Sequence, residues 1–212
     1  MTPPLHDALG TQGVLPVVTV DDLGGVCELA DALINGGVNV MEITLRTPVG
    51  LDAIGRLRDR TPSLVIGAGS VMSASDVDRA VDAGAQFIVS PGYDADVVSA
   101  SQQRATDVIP GVATATEMQA ATNAGIDVVK IFPVELAGGV RLIDAFSSVW
   151  PQARFVPTGG ITADSAPSYL QRRSVLAVGG SWMVPPQHVK SRSWEQITTL
   201  TQQAMTIGWD RS

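Results

Sequence analysis

One pattern recurs in INGGVNVMEI (34–43), VDAGAQFIVS (81–90) and TNAGIDVVKI (122–131). In each segment a helix-compatible stretch ends at a small residue and a glycine, and five or six mostly apolar, β-prone residues follow. Glycine adopts the left-handed conformation that ends a helix, and a short apolar run after it is typical of a buried strand. The repeat therefore predicts helices that alternate with parallel strands.

The same pattern, followed outward along the chain, predicts eight strands. They lie at about 14–20, 38–44, 64–68, 86–90, 107–110, 127–132, 154–157 and 175–178. Helical patterns separate the strands, with Ser73 and Thr114 at N-cap positions, and a last helix covers 193–205.

Strict alternation of strand and helix argues for a parallel sheet with helical crossovers. Eight repeats indicate an α/β fold of the (β/α)8 TIM-barrel type. We expect one domain, 1–212, with a short N-terminal helix. The alternative is a doubly wound open sheet, but no G-x-G-x-x-G motif follows the first strand.

The composition is that of a chain with a well-filled core, since 45% of its 212 residues are apolar and 17% are charged. This excludes disorder and coiled coil as overall descriptions. The net charge of −7 argues against nucleic acid and anionic membrane as partners. Apolar runs fall short of the ~18 residues of a membrane span, no secretion signal is present, and the single cysteine, Cys27, fits a reducing compartment. We therefore expect a cytoplasmic protein whose partners are small molecules.

One lysine stands where a strand would ordinarily carry valine. Only two of the 14 basic residues are lysines, and Lys130 lies inside the apolar run IDVVKIFP. Strand alternation turns Val129 and Ile131 toward the helices and leaves Lys130 and Phe132 inside the barrel. A lysine there loses hydration, which favours the neutral amine, a nucleophile toward carbonyl carbon. The alternative is a structural lysine paired with a carboxylate.

The second strand, VNVMEITLRT (38–47), carries three polar residues on one face. Alternation puts the following row on the inside of the barrel: Val38, Val40, Glu42, Thr44 and Arg46. A solvated edge strand has the same pattern, but a barrel has no edge. Glu42 across the barrel from Lys130 then supplies a base, and the planar guanidinium of Arg46 at the strand's carboxyl end suits a carboxylate.

Two double glycines follow the last two predicted strands, in TGGI (158–161) and GGSW (179–182). Backbone N–H groups without side chains around them can hold a phosphate, and barrels commonly place that site in the loops after strands seven and eight. The pair of motifs at this location predicts a phosphate site.

The sequence predicts no metal and no cofactor. Neither His6 nor His188 lies at a predicted strand end, and His, Asp and Glu show no ligand spacing. An amine that forms an iminium would then accept the electrons that a metal would otherwise stabilise.

The sequence resembles the family of 2-keto-3-deoxy-6-phosphogluconate (KDPG) and 2-keto-4-hydroxyglutarate (KHG) aldolases from LPVVTV (15–20) to GGSWMVP (179–185). The most specific matches are GGVNVMEITLRT (36–47) and VVKIFP (128–133), and GAGS, SPG and PTGGI recur in order. The resemblance implies a class I, Schiff-base lyase on a (β/α)8 barrel that assembles as a homotrimer. Such an enzyme cleaves KDPG to pyruvate and glyceraldehyde 3-phosphate, and often also cleaves KHG to pyruvate and glyoxylate.

The resemblance also implies roles for individual residues. Lys130 corresponds to the Schiff-base lysine and Glu42 to the general acid–base. The residues that would bind substrate are Arg46 and Ser70 on the pyruvyl carboxylate, Pro91 and Phe132 along the pocket, and Thr158, Gly159, Gly160, Gly180 and Ser181 at the far end and phosphate. Serine at 70 replaces the more usual threonine and keeps the hydroxyl, and Val134, where a small residue is frequent, is expected to narrow the pocket.

Three other functions fit parts of the same pattern. A metal-free phosphosugar isomerase or synthase on this barrel would use the double-glycine loops without a nucleophilic lysine. A non-catalytic sugar-acid-binding barrel would use Lys130 only to pair with Glu42. A related aldolase would act on the substrate of opposite configuration at C4. Borohydride trapping with pyruvate separates the aldolases from the first two.

Overall fold

A computed structural model describes residues 4–209, so residues 1–3 and 210–212 of the predicted domain lie outside it. Its strands are β1 (Val14–Val18), β2 (Val40–Thr44), β3 (Val65–Gly69), β4 (Phe87–Val89), β5 (Asp107–Ile109), β6 (Gly111–Val112), β7 (Val128–Ile131), β8 (Arg154–Pro157) and β9 (Val178–Gly180). Its α-helices are α1 (Leu5–Gln12), α2 (Val26–Asn35), α3 (Gly50–Arg60), α4 (Ala74–Ala83), α5 (Ala95–Gln103), α6 (Ala115–Asn123), α7 (Val134–Ala137), α8 (Val140–Val149), α9 (Ala166–Leu170), α10 (Pro186–Lys190) and α11 (Trp194–Trp209).

The strands pair in parallel throughout and form a barrel of the TIM type, as predicted. Six of them run in the order β5-β4-β3-β2-β1-β9 and three in the order β6-β7-β8. An isolated parallel bridge between Thr158 and Gly179 joins β8 to β9. On the other side, the predicted strand 107–110 corresponds to β5 and Pro110, and β6, which was not predicted, follows directly after the proline. The Pro110 carbonyl accepts a hydrogen bond of 2.9 Å from the Lys130 N–H. Proline donates no ladder hydrogen bond, which explains the break between β5 and β6.

Glycines and N-cap residues of the predicted pattern lie at helix ends, although the last helix, predicted at 193–205, extends to Trp209. Gly37, Gly84 and Gly125, one in each repeat, all have positive φ, at 101°, 103° and 77°. Ser73 accepts a hydrogen bond from the Asp76 N–H, and Thr114 caps α6 with a complete capping box. The local signals in the sequence therefore set the lengths of these units.

The core divides into a small inner cluster and a large outer one. Leu15, Val40, Phe87 and Val156 are among the fully buried side chains inside the barrel, and Leu9 of α1 packs with them. The predicted N-terminal helix is thus present and packs its Leu9 against the barrel interior. The outer cluster fills the space between strands and helices, and it takes in Val129 and Ile131 as well as Met41 and Ile43.

Three further sequence predictions are wrong in detail. The last strand is β9, Val178–Gly180, and not 175–178, because its register with β1 pairs Val14 with Val178 and Pro16 with Gly180. Val38 packs in the outer cluster rather than inside the barrel, because it precedes the first residue of β2 and does not follow the strand's alternation. Val134 also lies fully buried in the outer cluster, so it does not narrow an interior pocket.

Candidate active site

Lys130 and Glu42 face each other inside the barrel. The Lys130 Nζ lies 3.8 Å from the Glu42 Oε1. Both residues are almost completely buried, with 3% and 1% of their surfaces exposed. Glu42 lies in the middle of β2 and Lys130 near the end of β7, so period-two alternation of each strand turns the two side chains inward. The pair was predicted from alternation alone, and the structure brings it together.

The Glu42 carboxyl occupies space that Gly69 leaves open. Gly69 ends β3 and stands opposite Thr44 in the register between β2 and β3. A Cβ atom on residue 69 would collide with the Glu42 Oε1 and would lie 2.6 Å from its Cγ. Gly69 is therefore a residue of the site that sequence reasoning did not single out, although it lies in the GAGS motif (67–70).

Burial raises the pKa of Glu42 above its ordinary value, while the nearby charges of Lys130 and Arg46 act in the opposite direction. Desolvation is the larger effect because the carboxyl is completely enclosed. The Glu42 Oε1 accepts no hydrogen bond from any residue in the range 4–209. A buried carboxyl with a raised pKa can both take up and release a proton near neutral pH, which is what a general acid–base requires.

The Lys130 amine is held between the carboxyl and an aromatic ring. Its Nζ lies 5.2 Å from the centroid of the Phe132 ring, within the range of a cation–π contact. The backbone on either side is part of the barrel wall, since Lys130 pairs with Gly111 on β6 and with Val156 on β8. The amine is thus anchored on a rigid strand, a placement suited to a nucleophile.

Arg46 and Ser70 meet at the carboxyl ends of β2 and β3. The Arg46 Nε donates a hydrogen bond of 2.9 Å to the Ser70 Oγ. Ser70 has a φ of 60°, a left-handed conformation that directs the chain out of β3 immediately after Gly69. A guanidinium and a hydroxyl side by side offer several donors to one carboxylate.

The two double-glycine motifs lie next to each other, since the bridge between Thr158 and Gly179 joins their first residues. Gly159 and Gly160 lie in a loop as predicted, whereas Gly179 and Gly180 form the end of β9. Gly159 and Gly160 have φ values of 100° and 87°, which only glycine adopts readily. Gly180 packs closely against the Trp182 ring, so that a side chain there would collide with it. Backbone N–H groups of adjacent glycine motifs can hold an anion, which is the role predicted for this pair.

The remaining predicted residues also lie at strand ends. Pro91 follows β4 and Ser181 follows β9, while Phe132 follows β7. The Pro91 carbonyl packs so closely against Gly111 that no side chain fits at that position. All the predicted site residues therefore come from the carboxyl ends or the interior of the barrel strands, which is where TIM barrels place their chemistry.

Two cavities lie away from this site. A cavity of about 460 Å³ lies at the amino ends of the strands beside α1, and one of about 400 Å³ lies between α4 and α5. Among residues 4–209, no three His, Cys, Asp or Glu side chains are grouped to hold a metal ion. Within the same range, no helix is long and apolar enough to cross a bilayer.

Comparison with known proteins gives consistent matches over most of the chain. The family model described as "Aldolase: KDPG and KHG aldolase" matches residues 5–200. The 2-dehydro-3-deoxy-phosphogluconate aldolase of Treponema pallidum is 42% identical over 203 residues, which covers 96% of this chain and 97% of the relative. The KHG/KDPG aldolase of Escherichia coli K12 is 37% identical over 197 residues, with 93% and 92% covered.

Solved structures agree in fold. The KDPG aldolase of Legionella pneumophila, with pyruvate captured as a covalent carbinolamine intermediate, superposes with a TM-score of 0.92 at 37% identity, covering 95% of this chain and 98% of that one. The aldolase of Zymomonas mobilis ZM4 with 3-phosphoglycerate gives a TM-score of 0.90 at 37% identity, with 100% and 99% covered.

Proposed function

The chain belongs to the KDPG and KHG aldolase family, and from that premise we propose that it is a class I aldolase that cleaves KDPG to pyruvate and glyceraldehyde 3-phosphate. The observation that carries the proposal is the buried pair of Lys130 and Glu42, with 3.8 Å between amine and carboxyl. A buried ion pair contributes little net stability, so stability alone gives no reason to enclose a lysine and a glutamate in this way. An amine beside a proton-carrying carboxyl is what Schiff-base chemistry requires.

The reaction begins when the neutral Lys130 amine attacks the C2 ketone of the substrate. Glu42 donates the proton with which the carbinolamine hydroxyl leaves as water, so that a protonated imine forms and Glu42 becomes a carboxylate. Glu42, as carboxylate, then removes the proton of the C4 hydroxyl, and the C3–C4 bond breaks as its electrons enter the iminium to form an enamine. Glyceraldehyde 3-phosphate leaves with the C4 carbonyl.

The second half of the reaction returns the enzyme to its starting state. Glu42, now protonated, gives its proton to C3 of the enamine. Water then adds to the iminium, and Glu42 takes up the proton that this addition releases, so that pyruvate and the neutral Lys130 amine are set free. Burial supports this shuttle because it raises the pKa of Glu42 toward the working pH. One carboxyl thereby serves as base in cleavage and as acid in protonation.

The substrate is held at both ends. Arg46 and Ser70 bind the carboxylate next to the reacting ketone, a role supported by their mutual hydrogen bond at 2.9 Å. Pro91 and Phe132 line the middle of the pocket. The phosphate is received by Thr158, by the loop that contains Gly159 and Gly160, and by Gly180 and Ser181 at the end of β9. The bridge between residues 158 and 179 supports this role.

Borohydride trapping with pyruvate tests the proposal. Pyruvate plus borohydride is expected to add one reduced pyruvyl group to Lys130, located by peptide mass mapping. Lys190, the only other lysine in the sequence, provides the internal control and is expected to stay unmodified. A phosphosugar isomerase or a binding protein would give no adduct, and the absence of an adduct would overturn the aldolase assignment.

The same steps apply to KHG, which lacks a phosphate, and we propose that it is a second substrate, in line with the name of the E. coli relative. Cleavage of KHG uses Lys130, Glu42 and the carboxylate site but not the glycine loops. Assays with both C4 epimers of the phosphorylated substrate identify the preferred configuration.

We further propose a single domain, a homotrimer and a cytoplasmic location. One outer core cluster includes residues from Val14 to Met205, which supports a single domain. Met72, Leu136 and Val149 are exposed apolar side chains available for subunit contacts, and light scattering tests the trimer. A single cysteine fits a reducing compartment.

A further inference from the structure

A part-buried hydrogen bond beside the first glycine loop has no role in the mechanism. The Tyr169 hydroxyl donates a hydrogen bond of 2.7 Å to the Glu135 Oε1. Tyr169 is 2% exposed and lies on α9, which follows the loop that contains Gly159 and Gly160. Glu135 lies on α7, which follows β7 and the lysine.

Glu135 packs directly against the first glycine loop. Its backbone N–H donates to the Gly159 carbonyl at 3.3 Å, and the Val134 N–H donates to the Thr158 carbonyl at 2.9 Å. A Cβ atom on Gly160 would lie 2.7 Å from the Glu135 Cγ. The stem of the glutamate side chain therefore lies against the backbone that would receive the phosphate.

A carboxylate at this position is an electrostatic problem for phosphate binding. Like charges a few ångströms apart repel, and a free carboxylate could also accept the glycine N–H groups that the phosphate needs. The hydrogen bond from Tyr169 holds the Glu135 carboxylate toward α9. Burial, together with the adjacent carboxylate, raises the pKa of Tyr169, so the hydroxyl stays protonated and remains a donor.

We propose that Tyr169 is a positioning residue for phosphate recognition, which keeps the Glu135 carboxylate away from the Gly159–Gly160 loop. The proposal rests on the proposed function of that loop. Tyr169 touches no reacting atom and acts only through Glu135. Its effect is therefore confined to substrates that carry a phosphate.

Steady-state kinetics of Tyr169→Phe on two substrates test the proposal. The KM for KDPG is expected to rise about tenfold, the size of a lost charge-assisted hydrogen bond. The kcat for both substrates and the KM for KHG are expected to stay within about twofold of the parent. Ser147→Ala, which removes another side-chain hydroxyl hydrogen bond, to Ser174 at 2.8 Å, is the matched control and is expected to leave the ratio of the two KM values unchanged.

A second substitution separates positioning from simple stabilisation. In the Tyr169→Phe background, Glu135→Gln removes the charge and is expected to restore the KM for KDPG. Glu135→Asp, a change at an exposed residue, shortens the side chain so that its carboxylate no longer reaches Tyr169, and it is expected to reproduce the phosphate-specific KM rise even if Tyr169→Phe fails to fold.

Three results would overturn the proposal: equal losses on KDPG and KHG, no rescue by Glu135→Gln, or an unchanged KM in Glu135→Asp. The failure of the proposed function looks different, because the parent enzyme would then form no borohydride adduct with pyruvate and cleave neither substrate.

Discussion

Replacing Gly69 by alanine is expected to displace the Glu42 carboxyl while leaving Lys130 in place. The added methyl group would collide with the Glu42 Oε1 and lie 2.6 Å from its Cγ, so the outer half of the side chain has to move. The backbone of residue 69 does not have positive φ, so alanine adopts it without strain. The defect is therefore confined to the position of one carboxyl.

The size of the effect follows from what Glu42 does. Overpacking a buried site costs about 1–3 kcal/mol of stability, which leaves the barrel folded. A general acid–base that is moved out of hydrogen-bond reach loses about 10²–10⁴ in rate. Cleavage of KDPG is expected to fall by that factor, together with the exchange of pyruvate methyl protons in heavy water.

Proton exchange by NMR and borohydride trapping together form the assay. Exchange needs both the iminium and the proton carrier, whereas trapping needs only the amine, so trapping on Lys130 is expected to persist in Gly69→Ala. Gly55→Ala on α3 is the matched control, because a Cβ there meets its nearest contact, the Ala83 carbonyl, at 3.6 Å. Near-normal exchange in Gly69→Ala would refute the placement of Glu42 as the proton carrier. If Gly69→Ala also lost trapping on Lys130, the defect would not be confined to Glu42.

Four further predictions concern the same site. Glu42→Gln is expected to lower exchange and cleavage together by about 10²–10⁴ while trapping on Lys130 slows but persists, and normal exchange with lost cleavage would assign the shuttle to another group. Because burial raises the pKa of Glu42 above 4.5, the folded enzyme binds more protons than the unfolded chain between pH 4.5 and the raised pKa. The Glu42 contribution to stability is thus complete below pH 4.5 and is lost as the pH rises through the folded pKa. Urea unfolding at several pH values should show this fall in the free energy of unfolding in the parent but not in Glu42→Gln. A bulky residue in place of Gly160 is expected to weaken the binding of KDPG far more than that of KHG in steady-state assays, and equal losses for both substrates would count against a phosphate role. Activity is expected to survive exhaustive chelation because the iminium on Lys130 accepts the electrons, and loss with recovery on adding a divalent ion would defeat the Schiff-base mechanism.

The sequence by itself determined the repeat, the fold class and the direction of the key side chains. Helix ends at Gly84 and Gly125 follow from local backbone preferences, which need no tertiary context. The inward direction of Glu42 and Lys130 follows from the period-two alternation of a strand once the fold is a barrel. These are properties of short segments, and short segments are what a sequence displays.

Distances between segments were decided only by the tertiary structure. Glu42 and Lys130 lie far apart in the chain, and the 3.8 Å between their charged atoms depends on how the strands are staggered around the barrel. The space that Gly69 leaves for Glu42 and the contact between Tyr169 and Glu135 depend on the same packing. No local pattern encodes them, because each results from side chains of different strands and helices that meet only when the barrel closes.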